Sequence, residues 1–184
     1  MILALSTSSP WLSAAVGREG LVIADARQES HRRASEELIA LVDKVLAAAN
    51  VELDDLSGIV VDVGPGGFTS VRVGVTVAKM WAEFLSRPLW SITAFDLIAP
   101  GGQAGIAGRA NQILVKADGA STVETWPDVP GYGWGKDAPT FPDARRAFEA
   151  TAAWKEVDPR SLVPDYIHPP QISQPKQPFA GGTA

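Results

Sequence analysis

Apolar and polar positions along the first half of the chain follow the two periods of regular secondary structure. Short apolar runs at residues 2–6, 11–16 and 21–24, separated by tight turns, predict three strands in an antiparallel meander. Residues 36–50 then adopt the 3.6-residue period of a helix, with Ser30 or Ser35 near its start and Asn50 able to end it. Its predicted apolar stripe consists of Leu38, Leu41, Val42, Val45, Leu46 and Ala49.

A continuous apolar run at residues 58–63 predicts a strand that is covered on both faces. Asp62 is the charged residue within it, and we interpret this carboxylate as a cap for the following turn rather than as a metal ligand. The chain then passes directly into a turn that is dense in glycine, at residues 64–67.

The segment after this glycine loop fits two patterns. Residues 71–77 alternate in the manner of a strand, whereas residues 78–85 are strongly helical, and we predict a helix capped by Thr69 or Ser70 and ended by Arg87 and Pro88. A helix that is apolar on two sides is either central in its own domain or shared with a partner. One stripe holds Val71, Val75, Ala78, Ala82 and Leu85, and the other holds Val73, Val77, Met80 and Phe84.

The remainder of the chain changes character after a boundary at residues 100–102. Before it we predict a strand at 89–92 and a short helix at 94–99 capped by Thr93. After it we predict strands at 112–117 and 122–126 around a turn at 118–119, an irregular loop at 127–142 and a helix at 143–157. The predicted units are therefore residues 1–100, residues 101–168 and a proline-rich, disordered tail at 169–184.

Composition narrows the classes of function. The chain has no cysteine, so neither disulfides nor thiolate chemistry are available. A net charge of −5 argues against free-standing binding of nucleic acid, which needs clustered Lys and Arg. No apolar run approaches the ~20 residues of a membrane span, and no signal peptide is evident, which predicts a soluble protein of the cytoplasm.

Candidate chemistry is sparse. The two histidines, His31 and His168, lie at opposite ends of the chain, so a histidine metal site is not expected. Nothing matches a Gly-x-Ser-x-Gly nucleophile, and the glycine loop lacks the lysine of a Walker A motif. The loop can present the N–H groups of residues 66–70 to an anion, or it can allow close packing of the next helix. We favour the structural use, because an anion site needs cationic side chains and no cation other than Arg72 could point toward the loop.

The string Gly64-Pro65-Gly66-Gly67-Phe68-Thr69-Ser70-Val71-Arg72-Val73-Gly74, followed by Ala78-Lys79, resembles the TsaB (YeaZ) family. The segments at 2–8, 35–39 and 164–166 resemble it too. The resemblance is specific over residues 1–99 and thin over residues 101–163.

This resemblance implies an α/β fold of the actin-like (ASKHA) type, with a ribonuclease-H-like N-terminal lobe and a reduced second lobe. It implies a non-catalytic partner subunit that binds a TsaD-type catalytic paralogue. Together with a TsaE-type ATPase, that pair transfers threonylcarbamoyl to adenosine in tRNA, and tRNA is met only through the complex. No cofactor is expected, since ATP would be bound by the partner. The implied interface comprises Leu38, Val42, Val73, Val77, Met80, Trp81 and Phe84, and the possible nucleotide or anion loop comprises Gly64, Gly66, Gly67, Thr69 and Ser70.

Two departures from the family pattern favour a pseudo-enzyme. Ser6 stands where members usually carry an aspartate, and residues 91–96 lack the metal-binding histidines of the catalytic paralogue. The alternative is an actin-like ATPase or phosphotransferase that uses the loop as an anion cradle. A peptidase, the third reading, lacks its ligands. Without its partner, the exposed stripe would favour a homodimer.

Overall fold

The structure is a computed structural model that describes residues 1–18, 20–30, 33–108, 113–117, 120–124, 128–133 and 139–166. The strands, in chain order, are β1 (Ile2–Ser6), β2 (Trp11–Arg18), β3 (Leu21–Glu29), β4 (Gly58–Asp62), β5 (Leu89–Ile92), β6 (Ala104–Ala107), β7 (Ile113–Ala117), β8 (Ala120–Glu124), β9 (Gly131–Tyr132) and β10 (Lys155–Val157). The α-helices are α1 (Ala34–Ala49), α2 (Phe68–Phe84) and α3 (Ala94–Ile98).

Six strands form the first sheet, in the order β10-β5-β4-β1-β2-β3. The strands β1, β2 and β3 pair antiparallel, which confirms the predicted meander, and β4 joins β1 and β5 in parallel. All five residues of β4 are buried, as expected for a strand covered on both faces.

The two longer helices cover one face of this sheet. The predicted apolar stripe of α1 packs into the core with β1, β2 and β4, and Asn50 ends the helix in the left-handed conformation with φ of 53°. Arg33 occupies the cap position before α1, so neither Ser30 nor Ser35 caps it.

The segment after the glycine loop is the helix α2, and the alternating valines do not form a strand. Val71, Val75 and Ala78 fall on one side at helical spacing and are buried against the sheet, which explains why the helix prevails. The predicted caps, Thr69 and Ser70, are wrong. Gly67 holds the cap position, because its carbonyl accepts the first helical hydrogen bond from the N–H of Val71 at 3.0 Å, and Thr69 and Ser70 therefore lie inside the first turn.

The second sheet has the order β8-β7-β6-β9. The helix α3 joins the two sheets, and Thr93 caps it by accepting a hydrogen bond from the backbone N–H of Asp96, as predicted. The strands predicted at 112–117 and 122–126 appear as β7 and β8 with shifted ends. The turn at 118–119 lies outside the described residues, as does the predicted tail with His168.

The helix predicted at residues 143–157 is wrong. The chain there forms two 3-10 helices, Ala144–Phe148 and Thr151–Ala153, and then the strand β10. Phe148, Ala147 and Ala144 are buried on the face of the first sheet opposite α1 and α2, while β10 pairs with β5. Packing and pairing with distant strands override the local helix pattern, and the end of the predicted second unit belongs to the first sheet.

Candidate functional site

The glycine loop lets α2 approach the turn between β1 and β2 closely. A Cβ atom built at Gly66 would lie 2.0 Å from the carbonyl oxygen of Ser8, and one at Gly74 would lie 2.4 Å from the hydroxyl of Thr7. The Thr7 hydroxyl donates to the carbonyl of Ser70 at 2.7 Å, which joins the turn to the first turn of α2. These contacts support the structural use of the glycines, because larger side chains would push the helix away.

Asp62 is fully buried at the end of β4, beside this loop. One carboxylate oxygen accepts from the Ser6 hydroxyl at 2.6 Å and from the Ser8 hydroxyl at 2.5 Å, and the other accepts from the N–H of Gly64 at 2.8 Å. The prediction that Asp62 caps a turn is thereby confirmed. Burial raises the pKa of the Asp62 carboxyl above its ordinary value of 3.8, although the hydrogen bonds from Ser6, Ser8 and Gly64 oppose that shift.

Replacing Asp62 by asparagine should change how stability depends on pH. An unfolded aspartate titrates near 3.8, and the folded pKa is higher, so the folded state favours the protonated carboxyl. Its contribution is complete below the unfolded pKa and is lost as pH rises through the folded pKa. The uncharged Asp62→Asn chain has no such loss, so urea unfolding should show it gaining stability relative to the unaltered chain as pH rises. A difference that is constant or shrinks would contradict this assignment.

A cavity of about 600 Å³ lies between the glycine loop, the turn after β1, the second sheet and residues 164–166. Tyr132 lines it, and the Tyr132 hydroxyl donates to the carbonyl of Ser8 at 3.2 Å. Burial is the main cause that raises the pKa of the Tyr132 hydroxyl, and the negative charge of Asp62 raises it further. Among the described residues that line the cavity, Asp165 is the one with a charged side chain.

The predicted anion loop is only partly placed at this cavity. Gly66, Gly67 and Ser70 line it, whereas Gly64 and Thr69 do not. The N–H of Gly67 is already used by the carbonyl of Ser8 at 2.7 Å. Phosphate binding by this loop therefore stays a prediction, and the described lining offers it no cation.

A segment near the end of the described chain, residues 160–166, crosses α2 and reaches the loop. The Lys79 ammonium donates to the carbonyl of Leu162 at 2.9 Å, and the N–H of Asp165 donates to the carbonyl of Val63 at 2.7 Å. The rings of Tyr166 and Phe68 lie 5.0 Å apart. Sequence reasoning missed these contacts. The string Pro164-Asp165-Tyr166 was a family signal, but no periodic pattern says where it packs.

The predicted interface divides into exposed and buried members. Met80 and Phe84 are 51% and 77% exposed, and Val73 is partly exposed. The other four predicted members are packed in the core of the chain itself, and this corrects their assignment to a partner surface. The buried members are Leu38, Val42, Val77 and Trp81.

The exposed pair forms a small apolar surface. Met80 and Phe84 are four residues apart on α2, so they lie on one side of the helix. Ile39 on the neighbouring helix α1 is also exposed, at 41%. In the part of the chain that the structure describes, no three histidine, aspartate or glutamate side chains form a group able to hold a metal ion.

A family model described as TsaD, tRNA N6-adenosine threonylcarbamoyltransferase, matches residues 26–123, which is more than half of the chain. The chain belongs to this family. A relative from Bacillus subtilis (strain 168), named tRNA threonylcarbamoyladenosine biosynthesis protein TsaB, is 36% identical over 102 residues, covering 55% of this chain and 44% of the relative. The recognition of the TsaB (YeaZ) type from the glycine string is confirmed.

Solved structures show the same fold. YeaZ from Pseudomonas aeruginosa has a TM-score of 0.69 and 21% identity, covering 90% of this chain and 99% of that one. Another structure, titled as an uncharacterized protein with similarity to peptidase YEAZ from the same organism, has a TM-score of 0.74 and 22% identity, covering 91% and 99%. The predicted actin-like α/β fold is confirmed.

The chain spans about half the length of the curated relatives it matches. No helix among the described residues has the length and hydropathy needed to cross a membrane.

Proposed function

We propose that this chain is a partner subunit in the biosynthesis of threonylcarbamoyladenosine in tRNA, and that it binds a TsaD-type catalytic paralogue. The observation that carries the proposal is the exposed apolar pair Met80 and Phe84 on a helix whose opposite side is fully packed. Large apolar side chains side by side on a monomer's surface are typical of protein interfaces. The relatives named for this pathway supply the identity of the process.

Within the proposed complex, chemistry belongs to the paralogue. The carboxylate nearest to the loop, Asp62, is enclosed and holds three hydrogen bonds, so it is not offered to a ligand. The chain carries a net charge of −5, and the tRNA would therefore be held by other subunits. A TsaE-type ATPase completes the proposed assembly in the cytoplasm.

The test is reconstitution with purified proteins. The TsaD-type paralogue and the TsaE-type ATPase from the same genome are mixed with tRNA, Mg-ATP and the threonylcarbamoyl donor, with and without this chain. Modified adenosine is then measured by nucleoside mass spectrometry. We expect modification to require this chain and the paralogue together, and neither alone to suffice. Full modification without the chain would overturn the proposal.

The second candidate is a nucleotide-binding ATPase, which the cavity of about 600 Å³ beside the glycine loop favours on size. The charge of the cavity lining argues against a nucleotide, because Asp165 repels phosphates and no described lysine or arginine lines the cavity to attract them. We therefore propose that ATP is bound by the partner.

Titration calorimetry separates these candidates. We expect no measurable heat when Mg-ATP is added to the isolated chain, and binding only when the paralogue is present. Micromolar binding by the chain alone would favour the ATPase. The same titration with the Asp165→Asn chain is the control, since removing this carboxylate should strengthen any binding that places phosphates in the cavity.

A further inference from the structure

The cavity beside the glycine loop has a lining that the proposed function does not use. Its volume of about 600 Å³ falls within the range of about 300–1,000 Å³ that is typical of sites for small organic ligands. Proline and aliphatic side chains form its apolar part, namely Pro10, Pro65, Val71, Ile106, Leu114 and Pro164. The polar part of the lining decides which class of ligand the cavity suits.

Among the described residues, five hydroxyl groups line the cavity with their hydrogen atoms already used inside the chain. The Ser9 hydroxyl donates to the carbonyl of Trp11 at 3.0 Å, and the Ser70 hydroxyl donates to the carbonyl of Gly67 at 3.1 Å. The remaining three also donate within the chain, and they belong to Ser8, Ser30 and Tyr132. A hydroxyl whose hydrogen is engaged offers a ligand only its oxygen lone pairs. These five groups can therefore accept hydrogen bonds from a ligand but donate none.

Asp165 gives this lining its charge. Among the described residues no ion pair engages the Asp165 carboxylate, and the residue is exposed, so this group is free to pair with a ligand. Its backbone is held in place, because the N–H of Asp165 donates to the carbonyl of Val63 at 2.7 Å. A carboxylate among hydrogen-bond acceptors attracts a positively charged donor and repels an anion.

The start of α2 is the feature of the cavity that would favour an anion. The first turn of a helix has N–H groups without helical partners and carries partial positive charge. The chain already places a negative charge at this wall, since Asp165 and the cap residue Gly67 line the same cavity. An added anion would be repelled by Asp165, whereas a cation would be attracted to it.

Aromatic rings lie next to Asp165. The rings of Tyr166 and Phe68 are 5.0 Å apart, and both residues line the cavity. The Arg72 guanidinium lies over the Phe68 ring, 5.4 Å from its centre, while Arg72 itself is exposed and does not line the cavity. Aromatic faces attract ammonium and guanidinium groups that lie within about 6 Å of the ring centre. Because Arg72 occupies the Phe68 ring, the Tyr166 ring is the one left for a cation in the cavity.

We propose that this cavity binds a small organic cation, a protonated amine or guanidine with an apolar body. The charged group pairs with Asp165 and contacts the Tyr166 ring, and its N–H groups donate to the hydroxyl oxygens of the lining. The apolar body lies against the proline and aliphatic side chains. Met80 and Phe84 do not line this cavity, so the site does not depend on the proposed function.

An NMR titration of the isotope-labelled chain with phenethylammonium tests the charge and the location together. Phenethyl alcohol, which is uncharged and of nearly the same size, is the matched probe. We expect phenethylammonium to shift the amide signals of Gly66, Gly67 and Tyr166 saturably. The alcohol should bind on the order of tenfold more weakly, because it lacks the charged pair with Asp165.

Three variants separate the contributions to binding. Asp165→Asn should remove the tenfold preference for the ammonium over the alcohol. Asp54→Asn removes an exposed carboxylate that does not line the cavity, so it changes the net charge equally and should keep the preference. Tyr166→Leu keeps an apolar side chain but loses the ring, and it should weaken ammonium binding about 2–5-fold. Circular dichroism checks that each variant is folded.

Four outcomes would overturn the proposal. The first is the absence of saturable shifts with phenethylammonium, and the second is equal binding of the ammonium and the alcohol, which would indicate a purely apolar pocket. The third is an equal loss of the preference in the Asp165→Asn and Asp54→Asn chains, which would reduce the effect to net charge. The fourth is tighter binding of inorganic phosphate than of phenethylammonium at the same amides, which would assign the loop to anions.

Discussion

Replacing Met80 and Phe84 together by aspartate is expected to abolish binding to the TsaD-type paralogue while leaving the chain folded. Both side chains are already largely exposed, so the monomer loses little packing. In a complex, covering a Met or Phe side chain contributes about 1.5–3 kcal/mol, and the pair would therefore weaken affinity by roughly 100-fold or more. Two buried, unpaired carboxylates would weaken it further.

Calorimetry with the purified paralogue measures this loss, and circular dichroism checks the fold. The matched control is Leu21→Asp, which adds a charge at an equally exposed apolar position on the far edge of the sheet. It should bind the paralogue normally. Unchanged affinity of the double variant would mean that the partner binds elsewhere, and unfolding would mean that the pair contributes to the core.

Replacing Gly66 by alanine is expected to destabilise the chain severely. The new Cβ would lie 2.0 Å from the Ser8 carbonyl oxygen, a backbone atom that no rotamer change can move. The loop and the turn would have to separate, and the hydrogen bond from the N–H of Gly67 to that oxygen would be lost. Overpacking and the lost bond together should cost about 3 kcal/mol, or a melting temperature lower by about 6–12 °C.

Gly102→Ala is the control for this substitution, because its Cβ would meet the Ala99 methyl group at 3.5 Å, an ordinary contact. Its stability should stay within about 0.5 kcal/mol of the unaltered chain. Urea unfolding compares the two variants. Equal stability would show that the loop can relax around Gly66, and the close approach of α2 to the turn would then not be required.

Most of the first sheet and both of its covering helices could be predicted from local pattern. The period of the apolar residues in α1 fixes which side of that helix is buried. The strand β4 is buried throughout, which explains why its sequence is apolar apart from Asp62. The pattern of α2 was ambiguous between a strand and a helix, because its valines alternate with other residues as they would in a strand. The helix prevails because Val71, Val75 and Ala78, which lie on one side of a helix, pack against the first sheet.

The prediction failed where distant segments decide local structure. Residues 143–157 have a helical pattern, yet β5 has an open edge that β10 pairs with, and Phe148 has a sheet face to cover. The prediction of the interface residues was wrong for the same reason. Trp81 and Val77 were assigned to a partner, but they are packed in the same core cluster as Leu162.

By itself the sequence determined the order of elements, the family and the presence of a helix that is apolar on two sides. These follow from periodicity and from a short glycine-rich string, and both are local properties. The tertiary structure alone decided which apolar side chains of α2 remain exposed, which N–H groups of the loop are already bonded and which edge of the sheet is open. Those outcomes depend on contacts between residues far apart in the chain, such as Lys79 with Leu162 and Gly67 with Ser8. Hydrophobic period reports that a residue is apolar, not what covers it.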